Sequence, residues 1–149
     1  MNKKSFTLIE MVIVVAIIAT LTTIAVPYYK DQAVRVKTFA AQKYIMLLRD
    51  TLESYTIVST SYPNSLSYLA QTDPPFIPYA PCSTQGSKGE YKGYNYHCQE
   101  LTDGTYQISS TPLSEKEGKY CWRVITGGII QKRNFNTKNN KCNGPWQSP

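Results

Sequence analysis

Residues 6 to 26, FTLIEMVIVVAIIATLTTIAV, hold one ionisable group, Glu10, and are closed by Pro27. As a helix, this 21-residue run would be about 31 Å long, close to the thickness of a bilayer's hydrocarbon core. Lys3 and Lys4 precede it and belong on the cytoplasmic side, which leaves everything after Pro27 outside. A secretory signal removed on the far side is the competing reading. The run is longer than a usual signal core, no A-x-A site follows it, and it carries a carboxylate, so retention as a membrane helix is favoured. Glu10 lies near the cytoplasmic edge, where its side chain could simply reach the headgroups; alternatively it awaits a cationic partner, because a carboxylate in an apolar setting is best held by a nearby amine. Pro27 removes a backbone donor and crowds the preceding turn, so a helix kink or local melting is expected there.

Helical spacing continues past Pro27. Ala41, Tyr44, Ile45, Leu48, Leu52 and Tyr55 recur every three or four positions, with Lys37, Arg49, Asp50 and Glu53 mostly elsewhere, which predicts an amphipathic helix whose stripe lies under a sheet. From Ser59 to Gly89 the chain is broken by Pro63, Pro74, Pro75, Pro78 and Pro81 and reads as loop, with one helical turn near Leu66 to Leu69. In that loop Tyr62, Leu66 and Leu69 are expected to cover one end of the helix stripe. Four strands are then expected, Gly93 to Cys98, Gly104 to Thr111, Lys119 to Thr126 and Gly128 to Arg133, with Gly127-Gly128 as a hairpin turn. The polar segment from Asn134 to Pro149 reads as a tail, loose unless Cys142 ties it back. The fold class is α+β: one long N-terminal α-helix packed on a small antiparallel β-meander, with a disulfide-bounded C-terminal region.

The cysteines are even in number, Cys82, Cys98, Cys121 and Cys142, and absent from the first half of the chain. Two disulfides in an oxidising compartment suit this pattern. Sequence alone does not fix their connectivity; nearest neighbours, Cys82 to Cys98 and Cys121 to Cys142, are favoured because loops of that size close easily. A zinc site with His97 is disfavoured by the absence of CxxC or HxxxH spacing, so no metal and no cofactor is expected. His97 is the only histidine, and no Ser-His-Asp, GxSxG, HExxH or phosphate-loop pattern occurs. Glu115 and Glu117 sit in a charged loop where solvent exposure explains them, so no catalytic residue is assigned and the chain is not expected to be an enzyme. Net charge is +6, of which Lys3 and Lys4 contribute two. The last 31 residues carry Lys119, Arg123, Lys132, Arg133, Lys138 and Lys141 and no acid. A solvated basic surface is the favoured account. Binding of nucleic acid through Lys132, Arg133, Lys138 and Lys141, with Trp122, Phe135 and Trp146 nearby, is the sharper alternative.

The run Lys3-Lys4-Ser5 followed by Phe6-Thr7-Leu8-Ile9-Glu10 resembles the prepilin motif of type IV pilins and type II secretion pseudopilins. Pro27 and Tyr29 fall where that family carries a helix-kinking proline and a tyrosine. Ser5 stands where the family usually has Gly, and Ala19 where a helix-loosening Gly is common. The resemblance implies a leader, 1–5, cut between Ser5 and Phe6 by a prepilin peptidase that also methylates the new Phe6 amine. It implies a hydrophobic membrane and assembly helix, 6–27, and an outer globular domain, 28–149. Glu10 would neutralise the N-terminal amine of a neighbouring subunit in a helical homopolymer. The chain would reside in the inner membrane, where it meets the pilus assembly machinery, and then in an extracellular filament serving adhesion or twitching motility. A minor pilin binding DNA or host surfaces and a type II secretion pseudopilin are the alternatives; the acidic calcium-binding loop in which many major pseudopilins end is not found here.

Overall fold

The computed structural model describes residues 7–149, and the expected processing positions Ser5 and Phe6 lie outside them. The chain divides into two compact units, the second beginning at Val34. One helix, α1 (Leu8–Ser59), supplies the described part of the first unit and opens the second. It runs through Pro27 without a break in helical structure, so of the kink or local melting expected there the melting does not occur. A proline inside a helix costs one hydrogen bond and some crowding, about 3 kcal/mol. Long helical stretches on both sides keep the turn in register, and Ala19 upstream is a strong helix former.

In the second unit α1 is amphipathic as its spacing predicts, with Thr38, Ala41, Tyr44, Ile45, Leu48, Thr51 and Leu52 buried. Tyr55 is partly buried against the same core. A short helix, α2 (Leu66–Gln71), follows, its N-terminus capped by the Ser65 side chain, which accepts from the Ser67 amide. Leu66 and Leu69 are fully buried and Tyr62 packs beside them, as expected of the loop that covers the stripe.

The sheet has six antiparallel strands in sequence order: β1 (Lys88–Tyr91), β2 (Tyr94–Leu101), β3 (Tyr106–Pro112), β4 (Tyr120–Ile125), β5 (Ile129–Asn136) and β6 (Lys141–Gln147). It is a meander, since every strand pairs with its neighbour in the chain. Tyr94, Tyr96 and Cys98 of β2, Ile108 of β3, Trp122 and Val124 of β4 and Ile130 of β5 share one hydrophobic cluster with the α1 stripe. Their alternation with exposed residues is the period-2 signature of a half-buried sheet.

Two strands are additions to the four expected. β1 lies at the end of the segment read as loop; it pairs with β2 across Lys92-Gly93, both at positive φ, which is the backbone of a tight hairpin turn. β6 lies in the segment read as a tail, loose unless Cys142 ties it back, and the bond to Cys121 does tie it back. Its side chains show no buried face, so alternation could not reveal it; it is held at the sheet edge by pairing with β5 and by the bond between Cys121 and Cys142. Gly127 and Gly128, both at positive φ, make the β4–β5 turn where the hairpin was expected.

Both disulfides join the cysteines nearest in sequence, Cys82 to Cys98 and Cys121 to Cys142, with Cα separations of 5.8 and 6.1 Å. Every cysteine is therefore used, and no thiolate is left for the zinc site weighed above. The first bond pins the proline-rich loop to β2, and both its residues are buried. Changing Cys82 and Cys98 together to Ser should lower unfolding stability by about 3 kcal/mol, mostly by freeing the unfolded chain. Denaturant titration of the full chain in non-ionic detergent measures this, and an unchanged midpoint would contradict it.

Candidate assembly helix and basic strands

Every residue from Thr7 to Lys30 is exposed, including Leu8, Ile9, Val12, Ile13, Ile17, Ile18, Leu21 and Ile24. No part of this stretch is covered within the chain, although an 18-residue window reaches a mean hydropathy of 2.5. Exposed apolar surface on this scale marks a face meant for lipid or for another chain. The polar groups inside it are satisfied locally. Thr20, Thr22 and Thr23 donate their hydroxyls to the carbonyls of Ile17, Ile18 and Thr20, at 2.8, 2.6 and 2.7 Å, so the helix offers lipid few free hydroxyls.

Glu10 is the one charged group between Thr7 and Val26, and its geometry is specific. Its Oε2 accepts from the Thr7 amide at 2.8 Å and from the Thr7 hydroxyl at 2.7 Å, while the Glu10 amide donates to Thr7 Oγ1 at 3.4 Å. This reciprocal pattern is a capping box: Thr7 precedes the helix, Glu10 is its third residue, and each satisfies a backbone donor of the other. The carboxylate is held at the end of its own helix, where the helix dipole also favours negative charge. Sequence inspection singled out Glu10 and passed over Thr7. The signal was present as T-x-x-E ahead of an apolar run.

The basic residues of the C-terminal strands do not form one patch. Lys132 and Arg133 are adjacent on β5 and therefore point to opposite sides of the sheet. Lys132 lies over the Tyr120 ring at 5.8 Å and, with Arg35, Phe39 and Trp122, lines a cavity of about 380 Å³ beside α1. Arg133 lies on the other face, its guanidinium 4.2 Å from the Trp146 ring, which Arg123 also covers at 4.4 Å. These two stacks clamp β6 to the sheet. Lys138 and Lys141 are exposed at the β5–β6 turn, where Asn136 and Asn139 side chains accept from their amides. Trp146 is thus occupied by protein cations, and Trp122 and Phe135 are buried. Glu115 is exposed, whereas Glu117 pairs with Lys37 of α1 at 2.7 Å. Partial exposure limits such a pair to a small share of stability.

A family model described as the prokaryotic N-terminal methylation motif matches residues 1–26. Two fimbrial proteins of Pseudomonas aeruginosa are each 39% identical to this chain over 149 residues, spanning 97% of it and 83% of the relative. The chain belongs to the type IV pilin family. No solved structure matches it significantly. The long helix, the antiparallel sheet and the two disulfides are those of a pilin, and the uncovered apolar half of α1 is the part of the pilin that the methylation motif marks.

Within the globular unit of this pilin, α1 is tied to the sheet by polar contacts that periodicity could not reveal. Glu53 Oε1 accepts from the Tyr106 hydroxyl at 2.7 Å and from the Tyr62 hydroxyl at 3.2 Å. Burial and the Glu53 carboxylate raise the ionisation of Tyr106 far above the ordinary tyrosine range, so its hydroxyl stays a donor. Tyr44 donates to the Tyr79 carbonyl and packs against Tyr91 and Tyr96. Most of the twelve tyrosines lie in the globular unit, and those in its core are amphipathic mortar between helix, loop and sheet.

Proposed function

We propose that this pilin is the structural subunit of a type IV pilus, made as a prepilin, anchored in the inner membrane by residues 6–27 and polymerised through that helix into an extracellular filament. The single observation that carries the proposal is the complete exposure of an apolar helical face with one carboxylate in it, on a chain 39% identical to fimbrial proteins. In lipid the face is solvated by acyl chains, and in a filament by copies of itself. The same surface serves both states, so extraction from the membrane and assembly exchange one apolar environment for another at little net cost. Residues 28–149 remain outside the membrane throughout, where an oxidising compartment keeps the two disulfides formed.

In this proposal a prepilin peptidase removes residues 1–5 and the new Phe6 amine is methylated. Ser is small enough to take the usual Gly position ahead of the cut. The pilus machinery of the inner membrane then adds the subunit to a growing homopolymer, and Glu10 passes from its own helix cap to the N-terminal amine of a neighbour. Charge neutralisation in the apolar filament core is the physical reason for that exchange. Mass spectrometry of sheared surface filaments tests the scheme. The expected peptide begins at Phe6, carries one methyl group and belongs to the dominant protein of the preparation. An N-terminus at Met1, or one after Val26, would overturn it.

A further inference from the structure

The sheet face turned away from α1 carries a second cluster of charge. Cross-strand register places Lys88 of β1 opposite His97 of β2, and His97 opposite Ser109 of β3. These three, with Asn95, Arg133 and Asn140, line an open groove of about 410 Å³. No carboxylate lines it. Among the described residues neither Lys88 nor Arg133 forms an ion pair, and the buried Nε of Arg133 has no hydrogen-bond partner. Two permanent cations and a histidine therefore line a groove rich in hydroxyl and amide groups, with no carboxylate in its lining.

We propose that this groove binds an acidic saccharide, with Lys88 on β1 and Arg133 on β5 each meeting a sulfate or carboxylate of the sugar and Asn95, Ser109 and Asn140 meeting its hydroxyls. The residue types fit that class: charge-assisted bonds hold the oxyanion, and neutral donors and acceptors on neighbouring strands match a polyhydroxylated ring. Single-stranded nucleic acid fits less well, because no aromatic ring lines the groove for bases to stack on and Trp146 is already covered by Arg123 and Arg133. His97 adds a pH signature. Its proton affinity is lowered by burial and by Lys88. The charged groups around it are Lys88 and Glu90 from β1, Glu100 from its own strand, Arg123 from β4 and Arg133 from β5, while β3 contributes no ionisable group. A bound anion favours the protonated imidazole, so binding takes up a proton and affinity rises as pH falls below neutrality.

The test is fluorescence polarisation with the full chain in non-ionic detergent, titrated into fluorescein-labelled disaccharides that are sulfated, carboxylated or neutral, and into a labelled single-stranded oligodeoxynucleotide. Saturable binding is expected for one or both acidic sugars and not for the neutral one, and the two acidic arms show which oxyanion is preferred. Lys88→Gln should weaken binding about fivefold, and His97→Gln should remove the gain in affinity between about pH 7.5 and about pH 5.5. Both side chains are outside the core, and near-ultraviolet circular dichroism checks that the fold is retained. Lys138→Gln, equal in charge change but outside the groove, should leave binding intact. Equal losses in Lys88→Gln and Lys138→Gln would reduce the site to diffuse surface charge. Tighter binding of the oligodeoxynucleotide, or no saturable binding of either acidic sugar, would overturn the proposal.

Discussion

Glu10→Ala is expected to leave membrane insertion intact and to reduce surface filaments on the order of tenfold or more. Insertion depends on the apolar run, which the change makes slightly more apolar. In the proposed scheme assembly depends on what sits beside the N-terminal amine of the neighbouring subunit, because an unpaired ammonium in an apolar filament core is strongly unfavourable. The structure adds a control, because Glu10 has a second role within its own chain as the partner of Thr7 in a capping box. Gln can fill that position in a capping box without carrying charge. Glu10→Gln should therefore keep the helix end ordered and still lose filaments. Shear yields and membrane fractions of the two variants separate the roles: wild-type piliation by Glu10→Ala would end the pairing account, and wild-type piliation by Glu10→Gln alone would assign the residue to capping.

Leu48→Ala should destabilise the globular unit by about 3 kcal/mol, within the range for a fully buried leucine whose neighbours cannot close the space. Leu48 is completely buried in the cluster shared by α1, α2 and the sheet. Phe39 provides the comparison, being nine positions earlier on the same helix and so on its opposite side, at 64% exposure. Its change to Ala should cost less than about 0.5 kcal/mol. Since whole domains are stable by only about 5 to 15 kcal/mol, Leu48→Ala should also lower the amount of subunit available for assembly. Denaturant midpoints of the two variants, followed by tryptophan fluorescence, give the contrast; similar losses at both positions would show that the helix stripe is not the principal core contact.

The contrast between Leu48 and Phe39 is one that helical periodicity states directly, and the exposed apolar run from Leu8 to Val26 with Glu10 in it is as plain in the residues. Gly127-Gly128 announced its turn for a related reason: two residues free to take positive φ are a local requirement written in the residues themselves. Lys92-Gly93 makes a comparable turn with only one glycine, and the strand before it went unread. β6 was less legible still. Its order comes from Cys142 bonded to Cys121 and from Trp146 against Arg123 and Arg133, partners on β4 and β5 rather than within the strand.

Among the charged side chains, local sequence was misleading in one direction and silent in the other. Lys132 and Arg133 look like a pair but are divided by the pleat of β5. Lys88, His97 and Arg133 are scattered along the chain but line one groove. The sequence by itself determined an apolar helix long enough to cross a bilayer with one carboxylate in it, an amphipathic continuation and a disulfide-bearing strand domain, because each depends on residues within a few turns or a short loop of one another. Which cations share a face, which strand closes the sheet edge and where Trp146 is held were decided only by the tertiary structure, because strand register and sheet order are set by pairings between distant segments.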